Sequence, residues 1–162
     1  MRPSGPGAFE RHDHSRCREA ALAAVLQECA AQRLRLTPPR RCVLEALLEG
    51  HKAMTAYELL DRLREAGLGS QPPVVYRALD FLVEHGFVHR IERLSAFVAC
   101  THGEGQHSAM FLVCRECHRV EEAASPVALN PLEDQARNQG FRIDRMTIEA
   151  EGVCGGCLER AP

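Results

Sequence analysis

Two Cys-x-x-Cys pairs constrain this chain more than any other feature of its sequence: Cys114 with Cys117, and Cys154 with Cys157. One such pair indicates a disulfide, a redox centre or half of a metal site. Two pairs in one chain favour a tetrahedral zinc site to which each pair supplies two thiolates. The main rival is a dithiol redox centre, whose Cys-x-x-Cys is expected to open a helix after a strand.

The expected compartment also favours metal ligands over disulfides. The first residues, MRPSGPGAFERHDHSRC, contain no apolar signal segment, and no later stretch is apolar enough over the length needed to span a bilayer. We therefore expect a cytoplasmic protein with no membrane partner, in which thiols stay reduced. A chain of 162 residues, 45% hydrophobic and 26% charged, suffices for one medium or two small globular domains.

The first half of the chain predicts four helices and then two short strands. Apolar residues recur at helical spacing over residues 16–33, and Thr37 and Thr55 are predicted N-caps, the second in a capping box with Glu58. A fourth helix is predicted over residues 72–85, after paired prolines that suit a helix start. The strands are predicted at residues 87–92 and 95–99. This order of elements is typical of a winged helix-turn-helix.

In a winged helix, the helix before the wing enters the major groove of DNA. Here that helix has Tyr76 and Arg77 near its start, and an arginine can bind guanine O6 and N7 together. A basic cluster would contact phosphates: Arg33, Arg35, Arg40 and Arg41. The alternative is a plain three-helix bundle with solvated arginines. The order of elements does not decide between the two, because many winged domains bind protein.

The net charge of −2 does not by itself indicate a nucleic-acid partner. Residues 1–94 carry a charge of +2 and residues 95–162 a charge of −4. This asymmetry is mild, so the segments matter more than the sum.

The second half predicts strands at residues 108–113 and 119–122, a helix at 129–139, and a strand at 141–149. Each Cys-x-x-Cys then follows a strand, so the two pairs can meet and hold the end of the chain against a sheet. We therefore expect Cys114, Cys117, Cys154 and Cys157 to bind a structural zinc ion.

Several motifs together resemble the ferric uptake regulator family, namely LTPPR at 36–40, TAY at 55–57, PVVYRAL at 73–79, and His107 ahead of Cys114 and Cys117. Within the family the chain most resembles the branch that regulates zinc uptake, chiefly through VVYRALDFLVEHGFVHRIE at 74–92 and HSAMFLVC at 107–114. The resemblance extends from about residue 20 to residue 158. It implies a metal-activated homodimeric repressor of α+β class, with an N-terminal winged helix-turn-helix domain and a small α/β dimerisation domain. The expected boundaries are 1–92 for the first domain, 93–100 for a hinge and 101–162 for the second.

The resemblance also implies roles for single residues. Tyr57 and Arg77 match positions that contact DNA in the family, and the four paired cysteines match its structural zinc ligands. The positions of its metal-sensing site are matched by His89, Cys100, His107 and Glu122. The choice of Glu122 over Glu121 rests on this match alone.

Each sensing residue alone has an ordinary explanation, such as a surface histidine or a solvated carboxylate. Together they offer one thiolate, two imidazoles and one carboxylate, a set that suits tetrahedral zinc better than manganese or magnesium. We therefore expect two zinc sites in each subunit.

The leading hypothesis is a zinc-responsive repressor of zinc uptake genes that binds a palindromic operator in double-stranded DNA as a homodimer. A sibling sensing iron, nickel, manganese or peroxide remains an alternative, as does a thiol or zinc protein with no role on DNA. The sequence contains no phosphate-binding glycine loop, no nucleophile elbow and no HExxH. We therefore expect neither an enzyme nor a small-molecule substrate.

Overall fold

The computed structural model describes residue 9 and residues 14–101, 109–123 and 130–160. Within these ranges the helices are α1 (His14–Ala31), α2 (Pro38–Leu48), α3 (Ala56–Glu65), α4 (Pro72–Glu84), α5 (Asn130–Asn138) and α6 (Gly155–Leu158). The strands are β1 (Met54–Thr55), β2 (Val88–Ile91), β3 (Ala96–Ala99), β4 (Ala109–Cys114), β5 (Val120–Ala123) and β6 (Thr147–Gly152).

Helices α1–α4 and a small sheet form the first unit, which we call the winged-helix unit. Its core is a leucine cluster contributed by α2, α3 and α4, including Leu44, Leu59, Leu63, Leu79 and Leu82. Strands β2 and β3 are the antiparallel wing, and β1 pairs with the other edge of β3, giving the order β1-β3-β2. The winged helix-turn-helix predicted from the order of elements is confirmed.

The predicted N-caps differ in what their side chains do. The Thr55 hydroxyl accepts a hydrogen bond from the Glu58 N–H at 3.3 Å, and the Glu58 carboxylate accepts one from the Thr55 N–H at 2.7 Å. The bond from the Thr55 backbone lowers the pKa of Glu58. Thr37 also stands at an N-cap, but its side chain makes no capping bond. The capping box of Thr55 and Glu58 is therefore confirmed. Thr37 occupies the N-cap position of α2, but its side chain does not cap the helix.

The remaining strands form a second sheet with the order β5-β4-β6, which together with α5 and α6 we call the C-terminal unit. Strand β4 runs antiparallel to β5 and parallel to β6. The strand predicted at 141–149 was misplaced, because β6 begins at Thr147. Among the described residues β4 begins at Ala109, in register with Thr147, and the Ala109 N–H donates to Met146 O at 3.1 Å, so the described pairing covers only the end of the predicted segment. The side chain of Phe141 is accordingly 65% exposed.

The two units share a small hydrophobic core. Side chains from both sheets form it, namely Ala53, Ile91, Ala96 and Val98 from the first unit with Ala109, Phe111, Val113 and Val120 from the second. Two backbone hydrogen bonds also join the units: Val120 N–H donates to His51 O at 2.9 Å, and Ala53 N–H donates to His118 O at 3.3 Å. The domain boundary and hinge at 93–100 stay a prediction; that segment contains β3, the central strand of the first sheet. Among the described helices, none combines the length and the apolar character needed to cross a membrane.

The unequal caps give a matched pair of substitutions. Thr55→Ala should lower the free energy of unfolding by about 1 kcal/mol, because it leaves the Glu58 N–H without its acceptor. For a chain of this size the midpoint of thermal unfolding should fall by about 2–4 °C. Thr37→Ala should change it much less, since no capping bond is lost, and Thr55→Ser should restore most of the loss. Circular dichroism melting curves of the three variants and the wild type measure these midpoints, and equal losses at positions 37 and 55 would contradict the assignment.

Candidate metal centres and nucleic-acid interface

The four paired cysteines come together in one group, which we call the tetrathiol cluster. Cys114, Cys117, Cys154 and Cys157 offer sulfur atoms that all lie within 4.8 Å of one another. The sulfur atoms of Cys117 and Cys154, one from each pair, are 3.8 Å apart. Four thiolates converging from two strand ends are the donor set of a closed, structural zinc site.

The pairing of β4 with β6 produces this convergence. Cys114 is the last residue of β4 and lies opposite Gly152, the last residue of β6. The Arg115 N–H donates to Gly152 O at 2.9 Å, and the Cys154 N–H donates to the Cys114 sulfur at 3.3 Å. The two strands run in the same direction, so their ends deliver both Cys-x-x-Cys turns to the same edge of the sheet.

The environment of Cys114 favours a thiolate. Burial by itself would raise the pKa of this thiol, but backbone N–H groups of Cys154, Cys117 and Glu116 point at the sulfur and bring the pKa to about 6. The neighbouring Cys117 shows the opposite direction, because burial and the other three sulfur atoms raise its pKa to about 12. Arg160 adds a positive charge at the edge of the cluster, its guanidinium donating to the Cys157 sulfur at 3.1 Å. The raised pKa of Cys117 reflects its burial and the repulsion between neighbouring thiolates. A metal cation bound to all four sulfur atoms would neutralise that negative charge.

The dithiol alternative has one feature in its favour. Cys154 is the N-cap of α6, so the second pair does open a helix after a strand. However, Cys114 and Cys117 lie against this pair. A group of four convergent sulfur atoms fits a metal ion better than a two-thiol redox centre.

A second group, which we call the junction group, lies where the two sheets meet. One ligand atom from each of His89, Cys100 and Glu122 lies within 4.8 Å of the other two. His89 is on β2, Cys100 directly follows β3, and Glu122 is on β5. His107, the fourth ligand predicted from the family resemblance, lies outside the described residues.

The junction group is enclosed and held by its neighbours. The side chains of His89 and Glu122 are only 14% and 4% exposed, and His89 Nε2 lies 3.4 Å from a Glu122 oxygen. The other Glu122 oxygen accepts from the N–H of Thr101 at 3.0 Å and from its hydroxyl at 3.1 Å. The His89 ring also lies 5.1 Å from the ring of Phe111. An imidazole, a thiolate and a carboxylate fixed in this way suit zinc.

The residues predicted to contact DNA divide into two kinds. Tyr57 at the start of α3 is 76% exposed, Tyr76 near the start of α4 is 47% exposed, and Arg77 is also exposed. These three side chains extend into solvent from the helices that a winged helix-turn-helix presents to DNA.

Two of the four arginines predicted to contact phosphate, Arg40 and Arg41, are already engaged within the protein. Arg40 lies 3.6 Å over the centroid of the Phe81 ring and donates to Arg35 O at 2.6 Å. Arg41 pairs with Glu45 at 2.8 Å and remains half exposed. Arg40 therefore packs α2 against α4, a role that sequence reasoning missed because it depends on how two helices cross.

A protein-family model and a named relative both match most of this chain. The model of the Ferric uptake regulator family matches residues 31–151. The zinc uptake regulation protein of Escherichia coli (strain K12) is 39% identical over 139 residues, which are 85% of this chain and 81% of that protein.

Solved structures show the same relationship. A zinc uptake regulator complexed with zinc and DNA has a TM-score of 0.83 at 38% identity, over 88% of this chain and 96% of that one. Holo XcZur has a TM-score of 0.78 at 43% identity, over 86% of this chain and 98% of that one. Apo XcZur has a TM-score of only 0.50 at 42% identity, over 87% and 97% of the two chains. The family model matches most of the chain, as the resemblance of the sequence motifs predicted. This protein belongs to the ferric uptake regulator family.

Proposed function

We propose that this chain is a zinc-responsive repressor of zinc uptake genes, which binds a palindromic operator as a zinc-loaded homodimer. One observation supports the proposal above all: His89 and Cys100 come from the winged-helix unit, while Glu122 comes from the C-terminal unit. When residues of two units bind the same ion, the position of one unit relative to the other can depend on whether that ion is bound. The zinc uptake regulators that the chain resembles support the same function.

We assign different roles to the two metal groups. The tetrathiol cluster supplies four protein ligands, which is typical of a structural site that stays filled. The junction group supplies three described donors, and we propose His107 as the fourth, since it lies two residues before Ala109, the first residue of β4. A zinc ion bound at the junction would be coordinated by ligands of both units and would hold the two units together. Each subunit would then bind two zinc ions, one structural and one regulatory.

The comparison of holo and apo XcZur supports a change of arrangement between metal-loaded and metal-free states. This chain has nearly the same identity to both forms, 43% and 42%, yet TM-scores of 0.78 and 0.50. Because the sequence relationship and the coverage are almost equal, the difference reflects how the parts of the chain are arranged. The structure described here, with its junction ligands already close together, is nearer to the holo form.

The C-terminal unit has a surface that a second copy of the chain would cover. Helix α5 buries none of its residues within one protomer, although a short helix in water depends on packing for its stability. Large apolar side chains are exposed on this unit, with Phe141 at 65%, Leu132 at 45% and Leu112 at 37%. A homodimer formed through this surface would have two-fold symmetry, which a palindromic operator matches with two half-sites.

In the proposed complex α4 lies in the major groove, where Arg77 reads a base and Tyr76 and Tyr57 contact the backbone or base edges. Arg41 is the better candidate for a phosphate contact than Arg40, because an exposed ion pair with Glu45 costs little to break. Arg40 would have to leave the Phe81 ring.

The donor set also bears on which metal is sensed. A thiolate and an imidazole are softer ligands than the oxygen-rich sets that bind manganese or magnesium. Cys100 therefore favours zinc over manganese, whereas nickel and copper are excluded only by their availability in the cell.

The tetrathiol cluster is tested by removing one ligand. Cys117→Ser should lose the structural zinc, unfold at lower temperature and aggregate, because metal binding and folding of the C-terminal unit share their free energy. Elemental analysis and thermal melting of the purified protein measure these effects. Cys100→Ser is the matched control, since it removes a cysteine of the junction group and should retain the zinc of the tetrathiol cluster. A Cys117→Ser dimer with unchanged zinc content would contradict the structural assignment.

The regulatory role of the junction group is tested with the same control protein. Cys100→Ser should remain a folded dimer with one zinc ion per subunit but lose zinc-stimulated operator binding, by about tenfold or more in affinity. Gel shifts on the upstream region of the gene, at fixed salt and with zinc buffered by a chelator, measure the response. Cys17→Ser, at a half-buried cysteine outside both groups, should respond to zinc as the wild type does. Zinc-dependent operator binding by Cys100→Ser would show that the switch lies elsewhere.

The division between base and phosphate contacts is tested at two arginines. Arg77→Ala should cost about 1–3 kcal/mol of binding free energy and relax the base preference at one operator position. Arg77→Lys should also relax it, because lysine retains the charge but lacks the two-pronged guanidinium. Arg41→Ala should weaken all DNA sequences alike and reduce the slope of affinity against salt by about one. If Arg77→Ala changed only the salt slope, the roles would be reversed.

A further inference from the structure

The wing is fastened to the C-terminal unit by a contact that contains no metal ligand. Between β2 and β3 the chain makes a short 3-10 turn, Glu92–Leu94, which we call the wing turn. The Glu149 carboxylate on β6 accepts from the Glu92 N–H at 2.8 Å with one oxygen, and from the Arg93 N–H at 3.0 Å with the other. Both carboxylate oxygens are thus bonded to the backbone of the other unit.

Glu149 is aligned with the junction group by the register of the second sheet. Phe111 on β4 is the register partner of Glu122 on β5 and also of Glu149 on β6. Register partners point to the same face of a sheet, so the three side chains form one row facing the winged-helix unit. The backbones of Glu122 and Glu149 are about 10 Å apart, two strand spacings. Phe111 between them is 1% exposed and contacts the His89 ring.

The two ends of this row contact neighbouring parts of the same hairpin. Glu122 meets His89 on β2, and Glu149 meets the wing turn that begins three residues later, at Glu92. The wing therefore lies on Phe111, with a metal-binding carboxylate on one side and a backbone-binding carboxylate on the other. A movement of the wing that breaks the contact with Glu122 would therefore also displace the wing turn from Glu149.

A second contact at the wing turn is weaker. The Arg93 guanidinium pairs with Glu151 at 3.0 Å, but the two side chains are 59% and 36% exposed, and such surface pairs contribute little. Glu149 differs because its partners are backbone N–H groups fixed by the turn, and hydrogen bonds to a charged acceptor are stronger than neutral ones.

We propose that Glu149 is a positioning residue, which holds the wing turn against β6 and thereby raises the zinc affinity of the junction group. The inference rests on the proposed function, since it assumes that His89, Cys100 and Glu122 bind the exchangeable zinc. The contact made by Glu149 favours the arrangement in which these ligands are already close together. By linkage, a contact that favours this arrangement must strengthen zinc binding, and zinc binding must strengthen the contact.

The first test measures zinc affinity in variants that retain every metal ligand. Glu149→Ala removes both acceptor oxygens and should weaken the exchangeable zinc site by about tenfold, a coupling of ordinary size. Glu149→Gln retains one acceptor oxygen and should give a smaller loss. Competition with a chromogenic chelator measures the affinity, on dimers whose structural zinc content and circular dichroism match the wild type. Glu19→Ala, at an exposed glutamate on α1, removes a carboxylate from a helix that supplies no residue to the junction group or to the Glu149 contact, and should leave the zinc affinity unchanged.

The second test detects the contact directly in solution. Amide hydrogen exchange of Glu92 and Arg93 should be slow in the zinc-loaded wild type, faster when the exchangeable zinc is removed, and fast in Glu149→Ala under both conditions. Fast exchange in the zinc-loaded wild type, or an unchanged zinc affinity in Glu149→Ala, would overturn the proposal for Glu149 and leave the proposed function intact. A wild-type protein with no exchangeable zinc would instead refute the proposed function.

Discussion

The rest of the structure depends on the backbone pairing of β4 with its two neighbours. Strand β4 is bonded along both edges, antiparallel to β5 and parallel to β6, and its register with each is fixed over at least four residues. Its last residue, Cys114, belongs to the tetrathiol cluster, and its third residue, Phe111, lies between the two glutamates that contact the wing. A shift of one residue along either neighbour would turn every side chain of that strand to the opposite face. One strand of six residues thereby sets the geometry of both metal groups.

Features governed by local chemistry could be predicted from the sequence. Helical spacing, proline starts and the Thr55 capping box placed the helices, and the change to short β-rich segments placed the wing. The tetrathiol cluster was predictable because each Cys-x-x-Cys follows a strand. The convergence of His89, Cys100 and Glu122 was expected from the family resemblance and not from local chemistry, since each has an ordinary explanation when taken alone.

Features that depend on how distant segments pack could not be predicted. The start of β6 was misplaced because the alternation in residues 141–149 does not show where its partner strand begins. The position of Arg40 over the Phe81 ring depends on the crossing of two helices, and the contact of Glu149 depends on how two units dock. No pattern of spacing distinguishes Glu149 from Glu151 two residues later, although the first bonds to backbone and the second only to a side chain.

The parallel pairing of β4 with β6 also has a consequence during synthesis of the chain. Cys117 and Cys154 are 37 residues apart, so the first thiol pair leaves the ribosome well before the second can reach it. Closing a loop of this size costs entropy before any bond across it forms, which makes contacts of this kind late steps in folding. Until then the nascent chain exposes half of a site, two thiols that can bind a wrong metal or be oxidised. The order in which the cysteines emerge therefore leaves the first thiol pair without its two partners until the second pair has been synthesised.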